Sequence, residues 1–230
     1  GNYDASYQYD AVGNRTQSTV NGVTTGYSYD ANDRLSQSGG DSYSYDAQGN
    51  TLSVSNSDKT TTYSYNAKQE LINSQETLNG VTTNVGYGYN AQGIRIRKNQ
   101  AGNITHYLVD ANLPYAQVIA ESDNHNQLTA SYLFGDDLIS QNRQGSNHYY
   151  HYDGLGSTRH LTDDQGNLTD SYHYEAFGTL LHQTGSTFND YLFTGEQYDS
   201  ALQQYYLRAR YYNPAVGRFT QMDAFQGFMH

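Results

Sequence analysis

A short tyrosine motif, repeated along the chain, constrains the fold more than any other feature of the sequence. Tyrosines stand at positions i and i+2, and the next residues read Asp-Ala-x-Gly-Asn or a close variant. Side chains two residues apart lie on one face of a strand but on nearly opposite sides of a helix, so the motif predicts β-strands. Seven pairs follow this rule: Tyr7/Tyr9, Tyr27/Tyr29, Tyr43/Tyr45, Tyr63/Tyr65, Tyr87/Tyr89, Tyr150/Tyr152 and Tyr172/Tyr174.

The residues after each pair predict a tight hairpin turn. Asp-Ala-x-Gly-Asn suits a type I turn followed by a glycine in the left-handed region, and the Asp carboxylate can accept hydrogen bonds from the turn amides. Asp33 tolerates the glycine position, whereas Gln69 predicts an irregular fourth turn. The residues assigned to the structural repeat are Tyr9, Asp10, Gly13, Tyr29, Asp30, Tyr45, Asp46, Gly49, Tyr65, Tyr89, Tyr152, Asp153 and Tyr174.

Between these turns the chain is polar and rich in Ser, Thr and Val, with alternating apolar positions. The Asn-Gly steps at Asn21-Gly22 and Asn79-Gly80 predict further tight hairpin turns. No helical period is present. We therefore predict an all-β fold of consecutive antiparallel β-hairpins, with rows of tyrosines along the sheet.

Composition excludes several classes of protein. The chain has no cysteine, so a disulfide framework and a thiolate metal site are excluded. Leu, Ile, Val and Phe are scarce, and we expect the 25 tyrosines to supply much of the core. A net charge of -11 with only 12 Lys and Arg argues against nucleic-acid binding. No apolar run is long enough for a membrane span, and we expect no signal peptide in the first residues. They read as the middle of a repeat, so we expect a fragment of a longer protein.

The second half of the chain contains five ordered blocks, at 150–159, 161–167, 174–178, 193–196 and 205–223. Together with the tyrosine repeat they resemble the YD repeats and core-associated region of RHS proteins. That family includes bacterial polymorphic toxins, C subunits of insecticidal toxin complexes and teneurins. The residues that carry the terminal motif are Arg208, Arg210, Tyr211, Tyr212, Pro214, Gly217, Arg218 and Phe219.

The resemblance implies a β-ribbon that spirals into a hollow shell around a C-terminal effector. It divides the chain into a YD-repeat array at 1–145 and a core-associated segment at 146–230, continuous with the same sheet. The implied partners are the remainder of the shell and the effector, and the implied location is secreted or on the surface of a bacterium.

Asp223 matches the first aspartate of the motif at which such toxins cleave themselves, and is the candidate catalytic residue of the intact parent. Ala224 follows it, where many members have proline. Aspartyl chemistry needs two carboxylates with separated pKa values. Since the sequence given stops at His230, before the second one, we expect no cleavage by this fragment alone.

Two other site readings are weaker. His148, His151, Asp153, Ser157 and His160 could form a nucleophile cluster, but residues three apart on a strand face opposite sides and no nucleophile elbow is present. The run 163–167 suggests a calcium loop but lacks the ligand pattern. We expect no cofactor and no metal.

The sequence is also compatible with other functions. Open sheet edges pair with other chains, so an extracellular assembly or adhesion module that self-associates is the second hypothesis. Tyrosine rows that face water could bind glycans. The sequons at Asn14, Asn103 and Asn167 arise within Gly-Asn turns, and the repeat explains them.

Overall fold

A computed structural model describes residues 3–113 and 115–223. In these ranges the chain forms 22 strands, and its only helical element is the short 3-10 turn Phe193–Gly195. The prediction of an all-β hairpin fold is confirmed. The chain divides into two compact units, residues 1–64 with 74–83 and residues 65–73 with 84–230. The predicted boundary after residue 145 lies between two strands that pair directly, and it stays a prediction.

The first unit is a meander in which each strand pairs antiparallel with the next. Its strands are β1 Ala5–Tyr9, β2 Arg15–Val20, β3 Val23–Tyr29, β4 Leu35–Ser38, β5 Asp41–Tyr45, β6 Thr51–Ser55 and β7 Lys59–Tyr65. Strands β7, β8 Leu71–Leu78 and β9 Val81–Tyr89 contribute residues to both units.

The second unit continues the same pattern from β9 to β18. Its strands are β10 Arg95–Gln100, β11 Asn103–Asp110, β12 Gln117–Ser122, β13 Leu128–Phe134, β14 Leu138–Arg143, β15 Ser146–Tyr152, β16 Thr158–Thr162, β17 Leu168–Tyr174 and β18 Leu180–Thr184. A smaller sheet follows, made of β19 Gln197–Asp199, β20 Gln204–Leu207, β21 Arg210–Asn213 and β22 Arg218–Phe219.

The repeat turns have the predicted geometry. At the first turn the Oδ1 atom of Asp10 accepts hydrogen bonds from the amides of Val12 (3.0 Å) and Asn14 (2.8 Å), and Gly13 has φ +89°. The register of the hairpin shifts by one residue beside the turn, as a bulge requires. The same bonds recur at Asp30, where the amide and guanidinium of Arg34 lower the pKa of the carboxyl.

The prediction of an irregular fourth turn was wrong. Gln69 adopts the left-handed conformation with φ +64°, and its amide donates to the carbonyl of Asn66 at 2.9 Å as glycine does elsewhere. The side chain of Asn66 replaces the usual aspartate and accepts from the amides of Lys68 and Glu70. The turn network therefore imposes the left-handed conformation on a residue that does not favour it.

The second tyrosine of a pair makes a contact that the sequence did not predict. Its hydroxyl donates to the backbone carbonyl of a residue just after an earlier turn, which ties strands together across the tyrosine face. Five such bonds measure between 2.6 and 2.9 Å: Tyr29 to Arg15, Tyr45 to Leu35, Tyr89 to Leu71, Tyr152 to Leu138 and Tyr174 to Thr158.

Tyrosine is the main core residue, as predicted. Among the described residues, ten of the nineteen buried apolar side chains are tyrosines. In the first unit the tyrosine face stays thinly covered: Tyr27, Tyr29, Tyr43 and Tyr45 are half-buried, and Ser42 and Ser44 point to the exposed side. Most of the buried tyrosines belong to the second unit.

Candidate functional site

The second unit covers its own tyrosine face with residues 186–223, here called the C-terminal segment. The covered face is the side of β9 to β18 that carries Tyr87, Tyr107, Tyr132, Tyr150 and Tyr172, all buried. The hydrophobic cluster on this face also contains Tyr191, Leu192 and Tyr205 of the C-terminal segment.

Backbone and side-chain hydrogen bonds fix the C-terminal segment on this face. The hydroxyl of Thr158 donates to the carbonyl of Tyr191 at 2.7 Å, and the amide of Thr194 donates to the hydroxyl of Ser157 at 3.0 Å. The hydroxyl of Tyr205 donates to the carbonyl of Gly178 at 2.9 Å. These bonds give hydrogen-bond partners to polar groups that would otherwise be buried without any. They therefore favour one position of the segment on the face.

A buried ionic cluster joins the C-terminal segment to β10. The Nη1 atom of Arg95 donates to Asp199 at 3.1 Å and to the hydroxyl of Tyr211 at 2.9 Å, and its Nη2 atom donates to Gln197 at 2.6 Å. The guanidinium lies 4.2 Å from the ring centroid of Tyr206. Planar contacts of this kind suit a guanidinium, which makes cation–π contacts as well as hydrogen bonds.

Asp199 is the centre of this cluster. Its Oδ2 atom accepts from Arg95 and also from the hydroxyl of Tyr87 at 2.9 Å. Its Oδ1 atom accepts from Lys98 at 2.6 Å. Burial opposes ionisation of Asp199, but the charges of Arg95 and Lys98 outweigh it and hold the pKa of the carboxyl below its usual range. The carboxylate is therefore a buried anion of the segment, held against β10.

A second polar cluster lies between β12, β13 and β14. The hydroxyl of Tyr132 donates to Glu121 at 2.7 Å, and Arg143 donates to the other oxygen of Glu121 at 3.0 Å. Burial, reinforced by the charge of Glu121, raises the pKa of Asp190 to about 7. Lys98 and Arg143 act in the opposite direction, and Asp199 adds to the increase.

The terminal motif residues serve mainly to position the segment. Arg208 pairs with Glu196 at 2.6 Å and also donates to the carbonyl of Ala116 at 3.1 Å. Tyr211 is buried and accepts from Arg95, and Tyr212 donates to the carbonyl of Phe177 at 3.0 Å.

The rest of the motif shapes the end of the segment. Pro214 is buried, and Arg218 pairs in the sheet with Asn213. Gly217 has φ +68°, and a Cβ there would meet the ring of Phe177 at 2.9 Å. A larger residue at this position would clash with the ring, and this steric limit explains why the motif has glycine here.

Asp223 lines a cavity of about 120 Å³. Its carboxylate is half-exposed and pairs with Arg210 at 2.8 Å. The Arg210 guanidinium in turn lies 3.8 Å from the ring centroid of Phe219. The cavity is lined by Lys68, Gln69, Ala209, Arg210, Gln221, Met222 and Asp223. Asp223 is the one carboxylate among these lining residues, and Ala224 lies outside the described residues.

Of the suggested nucleophile cluster, the structure places His151 opposite His160 in the sheet, but it does not assemble the five residues into one site. Asp153 accepts from turn amides, Ser157 accepts from Thr194, and His151 and His160 contact Thr162 and Ser171 on the exposed side. Asp163, in the suggested calcium loop, is occupied by the amides of its own turn. Among the described residues, no group of three or more His, Asp or Glu side chains is arranged to hold a metal ion.

Sequence reasoning missed the Arg95–Asp199 cluster. The register places Arg95 opposite Tyr89, so its place on the tyrosine face follows from the hairpin alternation. Its partner is 104 residues away, and no local pattern identifies such a contact.

The sequence profile described as Teneurin YD-shell matches residues 1–229. The chain belongs to this family, and the resemblance to RHS and YD-repeat proteins is confirmed.

Curated relatives match over shorter stretches. The tRNA3(Ser)-specific nuclease WapA of Bacillus spizizenii is 34% identical over 142 residues, which cover 60% of this chain and 6% of that protein. The tRNA nuclease WapA of Bacillus subtilis is 33% identical over 142 residues, with the same shares of 60% and 6%. The chain therefore spans a small part of the relatives it matches.

Solved structures share the fold. In the crystal structure of TcdB2-TccC3-Cdc42, the similar chain has a TM-score of 0.54 and 14% identity, over 96% of this chain and 16% of that one. In the Tc holotoxin pore of Photorhabdus luminescens with a mutated TccC3, the values are 0.56 and 15%, over 97% and 16%. Among the described residues, no helix is long and apolar enough to cross a membrane.

Proposed function

We propose that the chain is a wall segment of an RHS-type shell, part of a longer secreted bacterial toxin that encloses a C-terminal effector. The family membership supports a shell role. The similarity to Tc toxin chains and to WapA nucleases supports a toxin context. Containment needs a contact surface, and no catalytic constellation is required of this chain.

One observation carries the proposal: the half-buried tyrosine face of the first unit. Tyr27, Tyr29, Tyr43 and Tyr45 lie on this face, and the alternate side of β5 carries exposed serines. In the second unit the corresponding tyrosines are covered by the C-terminal segment. The tyrosine face of the first unit resembles the covered face of the second unit but is only thinly covered. It can therefore serve as a contact surface for a polypeptide enclosed by the shell.

Tyrosine is suited to such a surface. Each ring presents a large apolar area and a hydroxyl that can hydrogen-bond. Because the hydroxyls of Tyr29 and Tyr45 already donate to backbone carbonyls, their rings are held in place. A rigid, weakly selective aromatic wall can contact effectors of different sequence, which fits a shell that encloses variable cargo.

Cysteine labelling tests this proposal, because the chain itself has no cysteine. Tyr43→Cys places a thiol on the tyrosine face, and Ser42→Cys places one on the exposed side of the same strand. In the 230-residue chain both thiols should react with a bulky maleimide. In the intact parent protein, the thiol at 43 should react much more slowly, and the thiol at 42 should keep its rate. Equal rates at both positions in the parent would refute containment on this face.

We propose as a second function that Asp223 takes part in self-cleavage of the longer protein. Its place at a cavity beside Arg210, just after the last described strand, favours this role over that of a plain turn carboxylate. Asp223→Asn in the intact parent should abolish processing. Asp163→Asn, in a repeat turn, is the matched control and should process normally. Unchanged processing of the Asp223 variant would remove the proposal.

A further inference from the structure

Strands β15 to β18 carry four histidines on the side opposite the covered face. This open face consists of His151 on β15, His160 on β16, His173 on β17 and His182 on β18, and all four side chains are exposed. The register pairs His151 directly with His160, and His173 directly with His182. Directly opposed side chains have Cβ atoms about 4.5–5.5 Å apart, close enough for two rings to converge.

The rings of His173 and His182 have the separation that a shared metal ion requires. Their centroids are 6.0 Å apart, with an angle of 39° between the ring planes. A metal held about 2.0–2.1 Å from one nitrogen of each imidazole places the ring centroids about 5–6 Å apart. The ion would therefore fit between the rings after small rotations of the side chains.

The two histidine pairs differ in the hydrogen bonds that their rings make. His151 contacts the hydroxyl of Thr162 at 3.0 Å, and His160 contacts the hydroxyl of Ser171 at 3.2 Å. Within the part of the chain that the structure describes, the rings of His173 and His182 contact each other and make no hydrogen bond. Their nitrogens are thus available to a ligand.

The surroundings do not oppose a cation. Strands β17 and β18 contain no lysine or arginine. On the open face, Ser171 pairs with Thr184 beside the two histidines. The whole chain has a net charge of -11, which attracts cations. Imidazole ligands favour Cu²⁺, Zn²⁺ and Ni²⁺ over Ca²⁺ and Mg²⁺, and Cu²⁺ is bound most strongly of the divalent ions.

We propose that His173 and His182 form a surface site for a divalent transition-metal ion, with water in the remaining coordination positions. The site links β17 to β18, the last strand of the meander. A metal that binds only the folded state stabilises it, so occupancy should raise the melting temperature of the chain.

The test uses Cu²⁺ as the probe, titrated into the untagged chain at about pH 7.5, where imidazole binds metal in its neutral form. Binding is followed by electron paramagnetic resonance, whose nitrogen splitting counts the coordinated imidazoles. Three forms are compared: the unaltered chain, His173→Gln with His182→Gln, and His151→Gln with His160→Gln as the matched control.

The proposal predicts one tight Cu²⁺ per chain with two coordinated imidazoles. Loss of His173 and His182 should weaken binding at least about 100-fold, because the variant keeps neither imidazole of the pair, and even one imidazole binds far less tightly than two linked ones. The single variant His182→Gln should show one imidazole only. The control pair should keep the affinity, the spectrum and the rise in melting temperature. Unchanged binding in the His173/His182 variant, or equal losses in both double variants, would overturn the site.

Discussion

The guanidinium of Arg95 and the carboxylate of Asp199 meet at 3.1 Å, with about 2% and 1% of the two side chains exposed. Arg95 belongs to the meander and Asp199 to the C-terminal segment that covers it. The same carboxylate also accepts from Lys98. The seating of the segment therefore depends on a desolvated ionic contact as well as on tyrosine packing.

Asp199→Asn should destabilise the chain by about 3–5 kcal/mol, because removal of one partner leaves a buried charge uncompensated. Urea unfolding followed by tyrosine fluorescence measures the change. The matched control is Glu76→Gln, which breaks the partly exposed ion pair with Lys59. That variant should lose less than about 1 kcal/mol. A similar small loss in both variants would show that the buried cluster does not anchor the segment.

Tyr89→Phe should cost about 1 kcal/mol, since it deletes the hydroxyl that donates to the carbonyl of Leu71. Tyr152→Phe, which frees the carbonyl of Leu138, should cost a similar amount, and the two effects should add. Tyr149→Phe is the control, because its hydroxyl bonds Asp164 on the exposed side. Thermal unfolding at one pH ranks the three variants, and equal stabilities would contradict a role for the hydroxyl ties.

Asp190→Asn should stabilise the chain in a pH-dependent way. Unfolded, Asp190 titrates near pH 4 on the usual scale, about three units below its folded pKa of about 7. Stability contributed by the protonated carboxyl is present below about pH 4 and is lost as the pH rises towards 7. The advantage of the variant should therefore be absent at acid pH, grow between about pH 4 and 7, and stay constant above that range.

The melting temperatures of the unaltered chain and of the Asp190→Asn variant, measured across this pH range, test the prediction. The groups that act on Asp190 are Glu121, Lys98, Arg143 and Asp199, and all are unchanged in the variant. A difference in melting temperature that is the same at every pH would mean that Asp190 titrates normally in the folded state.

Gln69→Gly should stabilise the fourth repeat turn modestly. The left-handed conformation costs a side-chain-bearing residue about 1–2 kcal/mol, and the greater freedom of glycine in the unfolded chain offsets about 0.4–1 kcal/mol of that gain. Ala67→Gly is the control within the same turn, where φ is not positive and glycine should destabilise. Chemical denaturation gives both values, and loss of stability in the Gln69 variant would contradict the strain.

The local features of the fold could be predicted from the sequence. Tyrosines two residues apart and turn residues such as Asp10 and Gly13 act over a few residues, so the local sequence predicts their geometry. The conformation of Gln69 was predicted wrongly, because the hydrogen-bond network of the turn outweighs the preference of one residue.

The candidate site was less predictable. The terminal motif singled out Arg208 and Arg210, and the structure pairs them with Glu196 and Asp223. The pair of Arg95 with Asp199 and the pKa of Asp190 depend on how distant segments pack. Burial and charge at such positions arise only in the tertiary structure, so no spacing rule could supply them.

Electron cryomicroscopy of the intact parent protein would show which polypeptide, if any, contacts the tyrosine face of the first unit. We expect polypeptide density from outside the shell repeats in contact with Tyr27, Tyr29, Tyr43 and Tyr45. Density of further YD hairpins packed on these tyrosines, or a face open to bulk solvent, would contradict containment by this surface.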